Sequence, residues 1–168
     1  MLMTEIICFH NPNEENGYLS NWYPSAFVVD GKKFSSAEQY MMYRKAKCFK
    51  DEEITEKIME TDDVAIIKAL GRKVRDYDDE VWSKIRGQEV YEGLLEKFSQ
   101  NEELKKRLLG TGEAKLAECA VKDCIWGIGL SMDDPDRLDE SKWRGKNLLG
   151  ETLMRVRKTL SLKGKTHD

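Results

Sequence analysis

The segment from Ser35 to Lys47 constrains the fold most, because it contains neither glycine nor proline. Ser35 is followed three residues later by Glu38, which is the capping-box spacing that marks the start of a helix. Alanine and methionine, both good helix formers, recur through the segment. The sequence therefore predicts a helix with Ser35 as its N-cap that continues to about Lys47.

Glu38 and Lys45 in this segment are candidates for chemistry. They are seven residues apart, about two helical turns, so they share one face with a rise of roughly 10 Å between their Cα atoms. That separation exceeds the i,i+4 spacing of an ordinary helical ion pair, and it suits a carboxylate and an amine that reach toward one small ligand. The alternatives are that Glu38 only caps the helix and that Lys45 is a surface lysine.

The remaining chain predicts a mainly α fold with a small N-terminal β-hairpin. Asp30-Gly31 lies between two short apolar runs, and Asp-Gly is a strong signal for a type I′ hairpin turn. A further strand is expected at 6–9, and 121–125 is expected to be a short strand or an extended segment that leads to Trp126. Helices are expected at 51–60, from 62 or 63 to 70, in a long segment from 78 or 79, at 101–109, at 111–117, and from Asn147 to about 160.

Composition indicates one compact globular domain. The chain has 168 residues, of which 40% are hydrophobic and 35% charged, which is typical of a folded domain. We expect a single domain over 1–168, with its core at about 6–160 and a short basic C-terminal tail. The net charge of −3 argues against nonspecific attraction to nucleic acid.

No segment predicts a membrane span or a signal peptide, so we expect a cytoplasmic protein without a membrane partner. The four cysteines form no CxxC pair, which agrees with reduced thiols in that compartment. The sequence sets no oligomeric state.

Only two histidines, His10 and His167, are present. A catalytic triad built on histidine and a zinc site of histidine and cysteine are therefore not expected. If the chain is an enzyme, carboxylates and lysine must handle the protons, with no metal and no cofactor.

A stretch without regular secondary structure is predicted from Trp126 to Lys146, and a loop of about 20 residues in a compact domain is usually functional or disordered. Asp133 and Asp136 in this loop are either solvated loop charges or functional carboxylates. Trp126 either stacks on a ligand ring or anchors the loop to the core. Asn147 after the loop either caps the last helix or helps its free amides to receive a phosphate.

The chain resembles the YbiA-like family, also called NADAR (NAD- and ADP-ribose-associated). The resemblance runs in family order from about residue 6 to 158, and no single motif carries it alone. The residues that carry it are Phe9, Leu19-Ser20-Asn21, Asp30-Gly31, Ser36-Ala37-Glu38-Gln39-Tyr40, Lys45, Gly71-Arg72, Trp82, Ala114-Lys115-Leu116, Trp126-Gly127-Ile128-Gly129 and Gly145-Lys146-Asn147-Leu148-Leu149-Gly150.

This resemblance implies a mainly helical fold and cleavage of an N-glycosidic bond to ribose. The family's catalytic glutamate and lysine map onto Glu38 and Lys45. Two substrate classes are implied: ribosylamino-pyrimidine phosphates of early riboflavin synthesis, and ADP-ribose attached to guanine in nucleic acid. A non-catalytic module that binds ADP-ribose or NAD is the alternative from a different class.

The chemistry of such a reaction assigns roles to further residues. Asp133 or Asp136 is the candidate second carboxylate, because an oxocarbenium-like state is stabilised by acid groups near C1′. We expect the leaving base, the ribose and the phosphate to be bound by aromatic, amide, cationic and glycine positions. These substrate-binding candidates are Asn21, Trp22, Tyr40, Arg72, Trp82, Trp126, Gly127, Arg144 and Asn147.

Overall fold

The computed structural model describes residues 4–165, which divide into two compact units. The hairpin unit is Pro24–Asn101, and the terminal unit comprises the described residues before and after it. Six α-helices lie within the described residues, so the prediction of a mainly α fold is confirmed. The prediction of one domain over the whole chain stays a prediction.

The hairpin unit begins with strands β2 (Phe27–Val29) and β3 (Lys32–Phe34), which pair antiparallel. Asp30 and Gly31 between them have φ angles of 50° and 79°. Positive φ at both central positions is the type I′ geometry, so the predicted hairpin is confirmed.

Four helices complete the hairpin unit, and each begins after a side chain that accepts a hydrogen bond from the first turn. Their N-caps are Ser36, Asp51, Asp63 and Asp78, and such caps satisfy amides that the helix itself leaves unpaired. The helices are α1 (Ala37–Cys48), α2 (Glu52–Met59), α3 (Val64–Gly71) and α4 (Asp79–Gln100).

Packing of α1 against α4 depends on Gly93. A Cβ atom at Gly93 would meet the ring of Tyr40, which is 3% exposed. The Tyr40 ring packs in turn on Phe27 and Phe34, with centroid separations of 6.0 Å and 5.1 Å. The glycine that weakens the helix locally is therefore the position that admits this aromatic cluster.

We expect Gly93→Ala to destabilise the protein by about 1–3 kcal/mol, because the added methyl group overpacks the Tyr40 ring. Gly87→Ala on the same helix is the matched control, since a Cβ there meets nothing within 4 Å. That control gains about 0.5–1 kcal/mol from helix propensity alone. Urea unfolding of both variants checks the prediction, and equal stabilisation by the two substitutions would contradict it.

Lys97 lies in α4 with its side chain 0% exposed. Burial lowers the pKa of its amine to about 7. The unfolded chain therefore binds more protons than the folded chain between about pH 7 and the ordinary lysine pKa of about 10.4. Stability must then rise as the pH rises through this window and level off below about pH 7.

We expect the free energy of unfolding to increase by roughly 2 kcal/mol from pH 7 to pH 9 on account of Lys97. Lys97→Met removes that increase. Lys84→Met is the control on the same helix, because the Lys84 side chain is 72% exposed. Urea titrations at the two pH values measure the slope, and an unchanged slope in Lys97→Met would show that another group causes it.

The terminal unit contains a parallel strand pair, β1 (Ile6–Phe9) with β4 (Lys115–Glu118), in which Ile7 faces Leu116. Helices α5 (Glu102–Gly110) and α6 (Leu148–Lys165) also belong to this unit. A Cβ at Gly150 in α6 would meet the carbonyl oxygen of Leu116, so α6 packs directly on β4.

Two predictions fail near β4. The segment expected as a helix at 111–117 is a turn followed by β4, because Gly112 has a φ of 62° and Leu116 and Ala117 are fully buried beside β1. The segment expected as a strand at 121–125 forms turns, and its apolar residues Val121 and Ile125 are 58% and 37% exposed. The strand predicted at 121–125 is therefore found six residues earlier in the chain, as β4 at Lys115–Glu118.

No helix within residues 4–165 is long and apolar enough to cross a membrane.

Candidate active site

The start of α1 decides what Glu38 does. Ser36 is the N-cap, and its Oγ accepts a hydrogen bond of 3.1 Å from the backbone N–H of Gln39. The Oε1 atom of Gln39 accepts in return from the backbone N–H of Ser35 at 2.8 Å. The predicted capping pair of Ser35 and Glu38 is therefore wrong, because the observed pair, Ser36 and Gln39, lies one residue later in the chain.

This shift releases Glu38 from the capping role that the sequence left open. Glu38 is 4% exposed and lies in the first turn of α1, where the helix dipole favours a negative charge. A nearly buried carboxylate at a helix N-terminus that is not the capping group is a candidate for chemistry.

Lys45 lies two turns further along α1 and is partly buried. Burial is the largest cause that lowers the pKa of its amine, and Arg72 acts in the same direction, whereas Glu38 and Asp79 oppose it. The amine therefore loses its proton more readily than a surface lysine does. Burial of this kind is one of the ways in which proteins activate a lysine as a nucleophile.

The charges of Glu38, Arg72 and Asp79 all act on the Lys45 amine. Glu38 and Arg72 were predicted as site residues, whereas Asp79 was missed. Arg72 is the exposed C-cap of α3, and Asp79 is the first residue of α4. The amine also lies 4.5 Å from the ring centroid of Tyr77, which the sequence did not single out.

Arg44 next to Lys45 fixes α1 to α4. Its guanidinium donates to both carboxylate oxygens of Glu89, at 2.6 Å and 3.2 Å. Bidentate arginine–carboxylate pairs combine charge with a fixed geometry, so this contact sets the rotation of α1 beside the candidate site.

Tyr40 and Trp82 are 3% and 4% exposed and belong to the core of the hairpin unit. Burial raises the pKa of Tyr40 to about 12, so its phenol stays neutral. Packing accounts for both residues, and their role in substrate binding stays a prediction.

Asn21 and Trp22 lie in the terminal unit. Asn21 is 7% exposed, and its buried Oδ1 atom accepts no hydrogen bond from residues 4–165. Such an atom costs folding free energy, which is typical of a position retained for another purpose. Trp22 is partly exposed, and its backbone N–H donates to Ser20 Oγ at 3.1 Å.

The predicted long loop contains only two short 3-10 helices, Pro135–Leu138 and Glu140–Lys142. The backbone N–H of Trp126 at its start donates to the carboxylate of Asp123 at 2.9 Å, and the residue is partly exposed. A Cβ at Gly127 would lie 2.9 Å from the Ala120 Cβ and the Asp123 carbonyl oxygen. Local packing therefore requires this glycine.

The charged loop candidates lie on the surface. Asp133 and Arg144 are exposed, and the Asp136 carboxylate lies 3.3 Å from the Lys142 amine. An exposed ion pair of this kind contributes little to stability. Their roles in catalysis and binding stay predictions.

Asn147 does not cap α6 with its side chain, which corrects that alternative. Its Oδ1 accepts from the backbone N–H of Glu118 at 3.1 Å, and its Nδ2 donates to the Leu116 carbonyl at 2.8 Å. The residue is 1% exposed and has a φ of 53°. These contacts secure β4 and account for the asparagine without a ligand.

Comparison with known proteins gives a consistent result. The family model described as "NADAR domain" matches residues 8–161. The N-glycosidase R617 of Acanthamoeba polyphaga mimivirus is 43% identical over 159 residues, which cover 90% of this chain and 94% of that protein.

Two further relatives are more distant. The riboflavin biosynthesis protein VVA0006 of Vibrio vulnificus is 33% identical over 95% of this chain, which spans 40% of that protein's length. The N-glycosidase YbiA of Escherichia coli is 30% identical, with 96% of this chain and 92% of that protein covered.

The NMR structure of the E. coli protein YbiA superposes with a TM-score of 0.81 at 29% identity, over 100% of this chain and 92% of that one. The fold, the resemblance and the glycosidase class expected from the sequence are thereby confirmed. This chain belongs to the NADAR domain family.

Proposed function

We propose that this protein hydrolyses the C–N glycosidic bond of a ribosylamino-pyrimidine phosphate. The names of R617 and YbiA support cleavage of an N-glycosidic bond, and the name of VVA0006 supports a link to riboflavin biosynthesis. The observation that carries the proposal is the buried Glu38 carboxylate on the same helix face as Lys45, whose pKa is lowered by burial.

Glu38 acts on the developing positive charge of the sugar. Cleavage of a ribosyl C–N bond passes through an oxocarbenium-like state, and a carboxylate beside C1′ stabilises that state or activates the attacking water. The low exposure of Glu38 strengthens this interaction, because water screens the charge of a buried carboxylate less than it screens that of a carboxylate on the surface.

Lys45 acts with its amine in one of two ways. The neutral amine attacks C1′ of the opened sugar, expels the aminopyrimidine and forms a Schiff base, which water then hydrolyses to release ribose phosphate. Alternatively, the ammonium donates hydrogen bonds to the ribose hydroxyls. The two routes differ in whether a covalent sugar–lysine adduct forms.

One further candidate of the hairpin unit has a proposed binding role. Arg72, whose charge acts on Lys45, offers a guanidinium group for the phosphate of the substrate.

A substrate panel tests the proposal. Purified protein is incubated with a ribosylamino-pyrimidine phosphate, with DNA carrying ADP-ribosylated guanine, and with NAD, and the products are separated by chromatography and mass spectrometry. We expect the aminopyrimidine and ribose phosphate to appear in equal amounts from the first substrate. Release of ADP-ribose from the second would identify an ADP-ribosyl-guanine hydrolase instead, and binding without turnover would identify an ADP-ribose or NAD module.

A further inference from the structure

Tyr77 contacts Lys45 in α1 and Phe49, the C-cap residue of that helix. Its ring centroid lies 4.5 Å from the Nζ atom of Lys45, which is within the range of a cation–π interaction. Its ring also packs edge-on against Phe49, with centroids 5.4 Å apart and planes at 64°. Lys45 and Phe49 are four residues apart, so the ring lies along one turn of the helix surface.

The other end of Tyr77 is attached to the first turn of α4. Its hydroxyl donates a hydrogen bond of 2.7 Å to Asp79 Oδ1. The guanidinium of Arg86, whose side chain is 12% exposed, lies 3.9 Å from the same oxygen. The Tyr77 hydroxyl thus binds the Asp79 carboxylate, and the Arg86 guanidinium lies within ion-pair distance of the same carboxylate.

The backbone before Tyr77 also adopts a special conformation. Asp76 has a φ of 56°, in the left-handed region that few residues other than glycine adopt, although aspartate tolerates it better than most. This conformation turns the chain between Val74, which is 7% exposed, and Tyr77. The placement of Tyr77 is therefore specified by the backbone as well as by its contacts with Lys45, Phe49 and Asp79.

We propose that Tyr77, held by Asp79, is a positioning residue for the Lys45 amine. The inference rests on the proposed function, in which that amine acts at C1′. A free lysine side chain has many rotamers, and a fixed ring beside its end restricts them. The ring face attracts the ammonium form, and the carboxylates of Glu38 and Asp79 do the same, whereas burial and Arg72 favour the neutral amine.

Tyr77 remains a hydrogen-bond donor throughout the neutral range. Burial and the hydrogen bond to Asp79 raise the pKa of its phenol to about 12. The hydrogen bond from Tyr77 to Asp79 in α4 is therefore kept over the pH range in which Lys45 titrates.

Three variants test the inference: Tyr77→Leu, which keeps apolar bulk without a ring, Tyr77→Phe, which keeps the ring without its tether, and Asp79→Asn. Glu80→Gln is the matched control, because Glu80 is the adjacent acid in the first turn of α4 and its side chain is 81% exposed. Circular dichroism first confirms that each variant is folded.

The main readout is the pH dependence of Lys45 acetylation by acetic anhydride, followed by peptide mass spectrometry. This measurement requires no turnover. Loss of the cation–π contact removes a stabilisation of the ammonium, so we expect the labelling midpoint in Tyr77→Leu to fall by about half a pH unit. Tyr77→Phe and Asp79→Asn shift it less in the same direction, and Glu80→Gln does not shift it.

The second readout is kcat, which we expect to fall about tenfold in Tyr77→Leu with little change in KM, since misplacement of a reacting group slows the chemical step. A wild-type labelling profile and wild-type kcat in Tyr77→Leu would overturn the inference while leaving Lys45 in its proposed role. A shifted profile together with full turnover in Lys45→Met would uphold the positioning contact and remove the proposed function.

Discussion

If the proposed function holds, we expect Glu38→Gln to lower kcat by about 10²–10⁴-fold, because positioned acid–base groups contribute rate factors of that size. The substitution removes the charge and keeps the shape of a side chain that is 4% exposed. The substitution leaves the two capping groups in place, since Ser36 and Gln39 provide the capping hydrogen bonds.

Glu52→Gln is the control for this experiment. Glu52 lies in the first turn of α2, as Glu38 lies in the first turn of α1, but its side chain is 69% exposed. Steady-state kinetics of both variants on the substrate identified by the panel give the comparison. Wild-type kcat in Glu38→Gln would remove the carboxylate from the mechanism.

We expect Lys45→Met to lower kcat at least as much as Glu38→Gln does, because methionine fills the same half-buried space without an amine. Lys45→Arg separates the two proposed roles of Lys45. An arginine keeps the positive charge but does not form a Schiff base, so a nucleophilic role predicts that both variants are equally inactive. Partial activity in Lys45→Arg would instead support hydrogen bonding to the ribose hydroxyls.

Borohydride provides an independent readout of this prediction. Reduction of the working enzyme traps a sugar on Lys45 if a Schiff base forms, and peptide mass spectrometry locates it. Lys47→Ala is the control, because Lys47 lies two residues further on α1 and its side chain is 41% exposed. A Schiff base predicts labelling of the Lys47 variant at the wild-type level and none in Lys45→Met, whereas no labelling of the wild-type protein would support hydrogen bonding to the ribose hydroxyls.

Local signals predicted the parts of the fold that local chemistry determines. Asp30-Gly31 predicted the hairpin because few other dipeptides accept positive φ at two successive positions. The shared face of Glu38 and Lys45 followed from helical periodicity alone.

The N-cap of α1 was missed because Ser35 and Ser36 are the same residue type and Glu38 and Gln39 both fit a capping box. A hydrogen bond outside the helix determines which of the two serines is the N-cap. The carbonyl of Ser35 accepts from the backbone N–H of Ser25 at 2.9 Å, which keeps Ser35 in the extended chain that leaves the hairpin.

Tyr77 and Asp79 were missed for a different reason. Tyr77 contacts Lys45 across a gap of more than 30 residues, through a turn at Asp76 that no periodic pattern predicts, and Asp79 acts on the same amine through its charge. Asn147 shows the same limit, since its side chain binds β4 rather than the helix it precedes. Side-chain contacts of this kind depend on tertiary packing and leave no mark in local sequence.

The account depends on Glu38 and Lys45 acting on one bond, and a double-mutant cycle of kcat/KM measures that directly. Groups that act as a unit give strongly non-additive losses. We predict that the Glu38→Gln/Lys45→Met double variant loses about as much as the worse single variant. Losses that add in free energy, or wild-type turnover in either single variant, would contradict the account.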